Sequence, residues 1–184
     1  MATRYRDAPI PRPAVVLAAG AGSRFGGPKQ AVLLPEVLRR VRESSVDDVV
    51  VAAGAHPIES DARVVQCPEW ERGPGASLRC ALRTLGDEFG AAVVVLADGP
   101  DLSPAAIDRV VSAWREGAGD VVAASYGGDR GHPVLLDRSV WPRIPDAGAR
   151  ELEPHLVPCD DLGSPGDVDF ADEVPGRLRE ESAE

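Results

Sequence analysis

Lysine is nearly absent from this 184-residue chain: among its 20 basic residues Lys29 is the one lysine, and the rest are arginine. Lysine supplies a compact point charge that arginine does not, so position 29 is the first place to look for chemistry. Aromatic residues are also scarce, at 4%, which leaves Val, Leu, Ala and Ile to build the core. The three cysteines, Cys67, Cys80 and Cys159, are widely spaced and form no C-x-x-C. That spacing suggests neither a zinc cluster nor a disulfide framework, and it fits the reduced thiols of a cytosolic protein. No stretch approaches the roughly 18 apolar residues of a membrane span. The residues before Ala14, with Arg4, Arg6 and Asp7, lack the apolar centre of a signal peptide. A cytoplasmic location is expected. The net charge of −10 argues against non-specific nucleic-acid binding and against an anionic membrane surface. An anionic substrate must therefore be met by cations placed at particular positions.

What is present is alternation. The length suits one domain. Residues 14–175 are expected to form it, between an N-terminal tail (1–13) and a polar C-terminal tail (176–184). Short apolar runs predict buried strands over Ala14–Ala19, Asp48–Ala53, Arg63–Gln66 and Ala91–Ala97. Further strands are expected over Asp120–Ser125, Pro133–Leu136 and near Val157. Helical spacing begins at Val37–Val41 and recurs over Ser77–Leu85. Ser103-Pro104 opens another helix, with serine as N-cap and proline at the first helical position. Gly148–Leu156 and the residues from Asp169 onward are also expected to be helical. Strands alternating with helices imply an α/β domain with a mostly parallel sheet. In such sheets ligands bind beyond the carboxyl ends of the strands, which singles out the loop after Ala19 and the residues after Ala97.

That loop reads Gly20-Ala-Gly22-Ser23-Arg24-Phe-Gly26-Gly27-Pro28-Lys29. Glycines allow backbone N–H groups to crowd against phosphate oxygens, while Arg24 and Lys29 add charge. The loop is not a dinucleotide fingerprint: Gly22 and Gly26 are separated by three residues, and the second strand ends in Ala53-Gly54 without the ribose-binding acid. Nor is it a P-loop, because Pro28 precedes the lysine and Gln30 replaces the metal-binding hydroxyl.

The segment from Leu17 to Gln30 resembles the opening motif of the MobA-like nucleotidyltransferases, especially the molybdenum-cofactor cytidylyltransferases. Further matches follow in order: Glu69–Arg79, Leu96–Pro100, Gly131–Val134, Gly148–Arg150 and Asp167–Asp169. The resemblance implies a Rossmann-like, three-layer α/β/α fold of the glycosyltransferase-A-like kind. It implies transfer of a nucleoside monophosphate from an NTP, CTP or GTP, to a small phosphorylated acceptor, with molybdopterin the named possibility. Ala18-Ala19-Gly20 mildly favours the cytidylyl type. Ala18, Ala19, Gly20, Gly22, Ser23, Arg24 and Lys29 would bind the nucleotide, with Gly75 and Ser77.

Asp98 follows the strongest strand and projects toward the expected crevice. Mg²⁺ takes hard oxygen ligands, usually one or two carboxylates plus water and substrate phosphates. Asp98 with Asp169 or Asp167 is the expected pair, and spacing does not choose between the last two. Positioning and charge stabilisation dominate such a transfer, so Lys29, Arg24 and Asp98 are the expected catalytic residues. His132 and Arg150 are candidates for contacting the acceptor. Two features depart from the family pattern. The connection after Lys29-Gln30 is several residues short, and the closing acidic motif lacks its usual Thr-Pro. Guanylyl transfer, transfer to a sugar phosphate, and a non-catalytic nucleotide-binding or regulatory role are the competing readings.

Overall fold

A computed structural model describes residues 12–22, 25 and 29–179. The apolar runs form the strands of one seven-stranded sheet: β1 (Pro13–Ala18), β2 (Asp48–Ala53), β3 (Arg63–Gln66), β4 (Ala91–Leu96), β5 (Val121–Tyr126), β6 (Asp129–Asp137) and β7 (His155–Pro158). Their order is β3-β2-β1-β4-β6-β5-β7. All strands run parallel except β6, which lies antiparallel to both β4 and β5.

Alternate residues of each central strand face opposite layers, which is why these strands read as unbroken apolar runs. Ala14, Val16 and Ala18 pack with α1 (Lys29–Arg42) and α3 (Pro104–Arg115). Val15, Val50 and Ala52 pack with α2 (Pro74–Leu82) and with the 3₁₀ segment Arg138–Arg143. The architecture is thus the expected three-layer α/β/α sandwich. From β1 the chain crosses to β2, while β4 lies on the other side of β1. The crevice between the ends of β1 and β4 is therefore the topological switch point where ligands bind in such sheets.

The structure departs from the sequence expectation in four places. Helix α1 begins at Lys29 rather than near Val37, because Leu33, Leu34, Val37, Leu38 and Val41 form one buried stripe. Pro35 sits inside that helix, where it removes the N–H that would reach Ala31. Ala31 and Pro35 are both exposed, so water reaches the freed carbonyl. Helix α2 starts at Pro74, three residues before Ser77. The segment expected to be helical over Gly148–Leu156 is a coil with one 3₁₀ turn, Ala149–Glu151. Arg130 takes up the carbonyls that a helix would have satisfied internally, donating to those of Ala149 (3.0 Å), Arg150 (3.2 Å) and Leu152 (2.6 Å). The last segment forms a 3₁₀ turn at Ala171–Glu173 and a short helix, α4 (Gly176–Arg179). Packing continues past residue 175, because Leu178 is buried against Leu33, Val168 and Val174.

Candidate active site

The glycine loop leaves β1 at Ala19, and Asp98 follows the end of β4. These strands are adjacent, so the loop and the carboxylate share one rim of the sheet. Between them lies a cleft of about 290 Å³ whose lining includes Ala18, Gly20, Gly22, Lys29, Asp98 and Asp169. Lys29 opens α1, and its Nζ donates to Asp98 Oδ2 at 2.9 Å and to the Val168 carbonyl at 3.0 Å. The same Nζ lies 3.7 Å from Asp169 Oδ1. The Val168 N–H donates to the Asp98 carbonyl at 3.1 Å, which ties the acidic segment to the β4 turn. A single ammonium group thus sits among carboxylates drawn from two distant stretches of chain.

The carboxylates press on one another. Burial raises the pKa of Asp167, and the charges of Asp98 and Asp169 raise it further, with Lys29 opposing. Asp98 Oδ1 is buried without a hydrogen-bond partner. An orphaned carboxylate oxygen beside further acidic groups suits a hard divalent cation. Among the described residues, no group of three or more His, Cys, Asp or Glu side chains forms a complete cage. Magnesium does not need one, since it keeps waters and takes substrate phosphates.

Other expected site residues fall elsewhere, and some lie outside the described residues. Ser23 and Arg24 belong to the latter group. Gly75 and Ser77 do not line the cleft. The Gly75 N–H donates to the Asp146 carbonyl at 2.9 Å, and Ser77 is 1% exposed with its hydroxyl unpartnered. Asp146 is also paired with Arg72 and Arg79, which holds its carboxyl below the usual range. His132 lines a small neighbouring cavity with Gly99, Pro165 and Gly166. Burial lowers its pKa to about 4, the Arg130 charge adds to that, and Asp98 opposes it. Arg150 is exposed and makes no ion pair among the described residues. Its turn follows Gly148, which touches Pro74 and so sits beside the start of α2.

Sequence reasoning passed over two side chains beside the loop. Gln30 Nε2 donates to the Gly20 carbonyl at 2.9 Å, and His56 Nε2 lies 2.9 Å from the Ala21 carbonyl. Adjacency to Lys29 could have flagged Gln30. Nothing local marks His56, which arrives from the connection between β2 and β3.

The MobA-like NTP transferase domain profile matches residues 14–156, most of the chain. The chain belongs to that family. Its acidic segment at 167–169 lies beyond the matched region. No protein in the curated set matches. Among solved structures, Rv0371c from Mycobacterium tuberculosis H37Rv is 26% identical, with a TM-score of 0.74, covering 92% of this chain and 98% of that one. A second structure of Rv0371c is a complex with manganese. The molybdopterin-guanine dinucleotide biosynthesis protein A of Archaeoglobus fulgidus is 17% identical, with a TM-score of 0.66, covering 93% and 98%. A CMP:2-keto-3-deoxy-manno-octonic acid synthetase complexed with CTP is 11% identical, with a TM-score of 0.69, also covering 93% and 98%. The last two speak for the fold alone. This MobA-like chain is a nucleotidyltransferase by family. Among its described residues no helix is long and apolar enough to cross a membrane.

Proposed function

We propose that this chain transfers a nucleoside monophosphate, from CTP by preference, to a small phosphorylated acceptor such as molybdopterin, with Mg²⁺ as the ion. The observation that carries the reading is the meeting of Lys29 Nζ with Asp98, Val168 and Asp169 under the glycine loop. An acceptor phosphate oxygen forms a bond to the α-phosphorus as the bridging bond to the β-phosphate breaks. Pyrophosphate leaves with that electron pair. Lys29 Nζ stabilises charge on the α-phosphate and on the departing pyrophosphate. Loop N–H groups from Gly20 to Gly22 hold phosphate oxygens, and Arg24 and Ser23 are assigned to the same task. Gly75 and Ser77 are assigned to the nucleoside, and His132 and Arg150 to the acceptor. Asp98 with Asp169 or Asp167 would hold the ion, which when bound neutralises and orients phosphate oxygens.

The preference for CTP rests on Ala18-Ala19-Gly20, which is similar to the cytidylyl type. GTP-dependent guanylyl transfer and transfer to a sugar phosphate are the neighbouring readings. A second class is favoured by one observation: α1 begins at Lys29 itself, leaving no room for the family's usual connection after the lysine. That would suit a nucleotide-binding protein without acceptor turnover.

Pyrophosphate release, measured for each NTP with Mg²⁺ and with or without molybdopterin, tests the reading. Acceptor-dependent release with CTP is expected. Release with GTP instead would favour guanylyl transfer. Tight CTP binding with no release under any pairing would leave the non-catalytic reading standing.

A further inference from the structure

The four carbonyls that follow β1 are each taken up by a different group. The Ala19 carbonyl accepts from the Ala55 N–H at 3.0 Å, and the Gly22 carbonyl from the Phe25 N–H at 3.0 Å. Gln30 Nε2 holds the Gly20 carbonyl at 2.9 Å, and His56 Nε2 holds the Ala21 carbonyl at 2.9 Å. A carbonyl oxygen can only accept, so the His56 ring carries its proton on Nε2 here, and Gln30 turns its amide nitrogen toward Gly20. In a trans peptide the N–H points opposite to the C=O. Fixing the carbonyls of Ala19, Gly20 and Ala21 therefore aims the N–H groups of Gly20, Ala21 and Gly22 away from Ala55, Gln30 and His56. None of those three N–H groups donates to an acceptor among the described residues. Gly20 and Gly22 line the cleft that holds Lys29 and Asp98. Gly22 adopts a φ of 61°, a left-handed turn that glycine takes without strain.

We propose that His56 and Gln30 are positioning residues that hold the glycine loop with its N–H groups presented to the phosphates of the nucleotide, an inference that rests on the nucleotidyltransfer reading above. Backbone hydrogen bonds alone cannot do this for the middle of the loop. The Ala55 amide reaches only the Ala19 carbonyl, and Phe25 only that of Gly22. The two central peptides depend on side chains. Gln30 also links two parts of the site, because it follows Lys29 in the first turn of α1. One helical turn thus offers its ammonium to Asp98 and its amide to Gly20. His56 supplies the matching hold from the β2–β3 connection, which is pinned in turn by the Gln66 amide donating to the Gly54 carbonyl at 2.6 Å. Both side chains line a cavity of about 420 Å³, and Gln30 lines the Lys29–Asp98 cleft as well, so trimming either one widens an existing space.

Inorganic pyrophosphate and CTP, each with Mg²⁺, are titrated calorimetrically into the full chain carrying wild-type residues, His56→Ala, His56→Gln, Gln30→Leu or Gln30→Glu. The alanine, leucine and glutamate variants are expected to bind pyrophosphate roughly tenfold more weakly, the scale of one oriented hydrogen bond. CTP is expected to weaken in parallel, while melting temperatures stay near wild type. His56→Gln, which keeps a donor at similar reach, is expected to recover most of the affinity; a purely structural role would not predict that rescue. Wild-type pyrophosphate affinity in both His56→Ala and Gln30→Leu overturns the inference while leaving the nucleotidyltransfer reading intact. Losses that track a fall in melting temperature without rescue by His56→Gln also overturn it. If the wild-type protein binds neither CTP nor pyrophosphate, the nucleotidyltransfer reading fails and this inference with it.

Discussion

The two sides of the cleft are built differently. On the β1 side the proposed phosphate-binding groups are main-chain amides in a glycine loop, propped by the end of β2 and the start of α1. On the β4–β6 side the groups are side chains: Asp98, the acidic segment at 167–169 and His132, backed by a coil that Arg130 ties down. A backbone surface reads a feature common to all nucleotides, their phosphates. A side-chain surface changes readily by substitution and so suits the variable partner. Under the proposed function, affinity for a triphosphate and choice of acceptor are therefore separable. Substitutions on the two sides should therefore fail in different ways.

Lys29 joins the two sides, and its loss has the largest expected effect. Lys29→Ala should lower turnover at least about a hundredfold, the scale of losing one charged transition-state contact of ~2.7–4 kcal/mol. Its thermal melt should remain cooperative. Near-normal turnover in that variant would remove Lys29 from the chemistry. Asp98→Asn should lower turnover by about a hundredfold and weaken the response to Mg²⁺, read as pyrophosphate release across a metal titration. Chelation of the wild-type protein should abolish release, and added Mg²⁺ should restore it. Arg130→Ala should cost about 1–3 kcal/mol in denaturant unfolding, because it orphans the three carbonyls of the 149–152 coil. Its enzymatic defect is expected to appear in acceptor KM and to spare CTP affinity. An equal loss of CTP affinity would show that the two sides of the cleft do not act separately.

Acid should also act on the side-chain half. His132 has its pKa lowered from 6.5 to about 4, so between those values the unfolded chain binds the proton more readily than the folded one. Stability is therefore complete above about pH 6.5 and declines as pH falls toward 4. The decline is expected to reach about 1–3 kcal/mol and to be smaller in His132→Gln, as measured by urea midpoints across that window. Arg150→Ala is the mildest change. Its exposed side chain lacks an ion pair among the described residues, so stability should hold within about 0.5 kcal/mol. Any effect should appear as a modest rise in acceptor KM.

The ends of β1 and β4 are the most legible part of the site in the amino-acid sequence. Ala14–Ala19 and Ala91–Ala97 are buried on both faces, so burial wrote itself into them as continuous apolar runs, and the glycine loop and Asp98 follow directly from their ends. The start of α1 is hidden in the sequence because Pro35 interrupts its local pattern, although its missing N–H faces an exposed carbonyl. The coil after Gly148 was hidden for the opposite reason. Its local spacing permits a helix, but Arg130, nearly twenty residues earlier, satisfies its carbonyls in an irregular path. His56 left no local trace either, since its importance comes from meeting Ala21 across 35 positions. Interactions made through tertiary contact leave no period to read.

Strand β6 runs against its neighbours. In a wholly parallel sheet every strand begins at the far edge, and only strand ends reach the ligand. A reversed strand contributes its opening residues there instead, which is how His132 comes to stand near Asp98, with Arg130 close to His132. Those residues lie at the start of a strand whose later half, Val134 to Leu136, is locked into the core. Under the proposed function, position 132 can change its chemistry over evolution while the strand that carries it stays fixed.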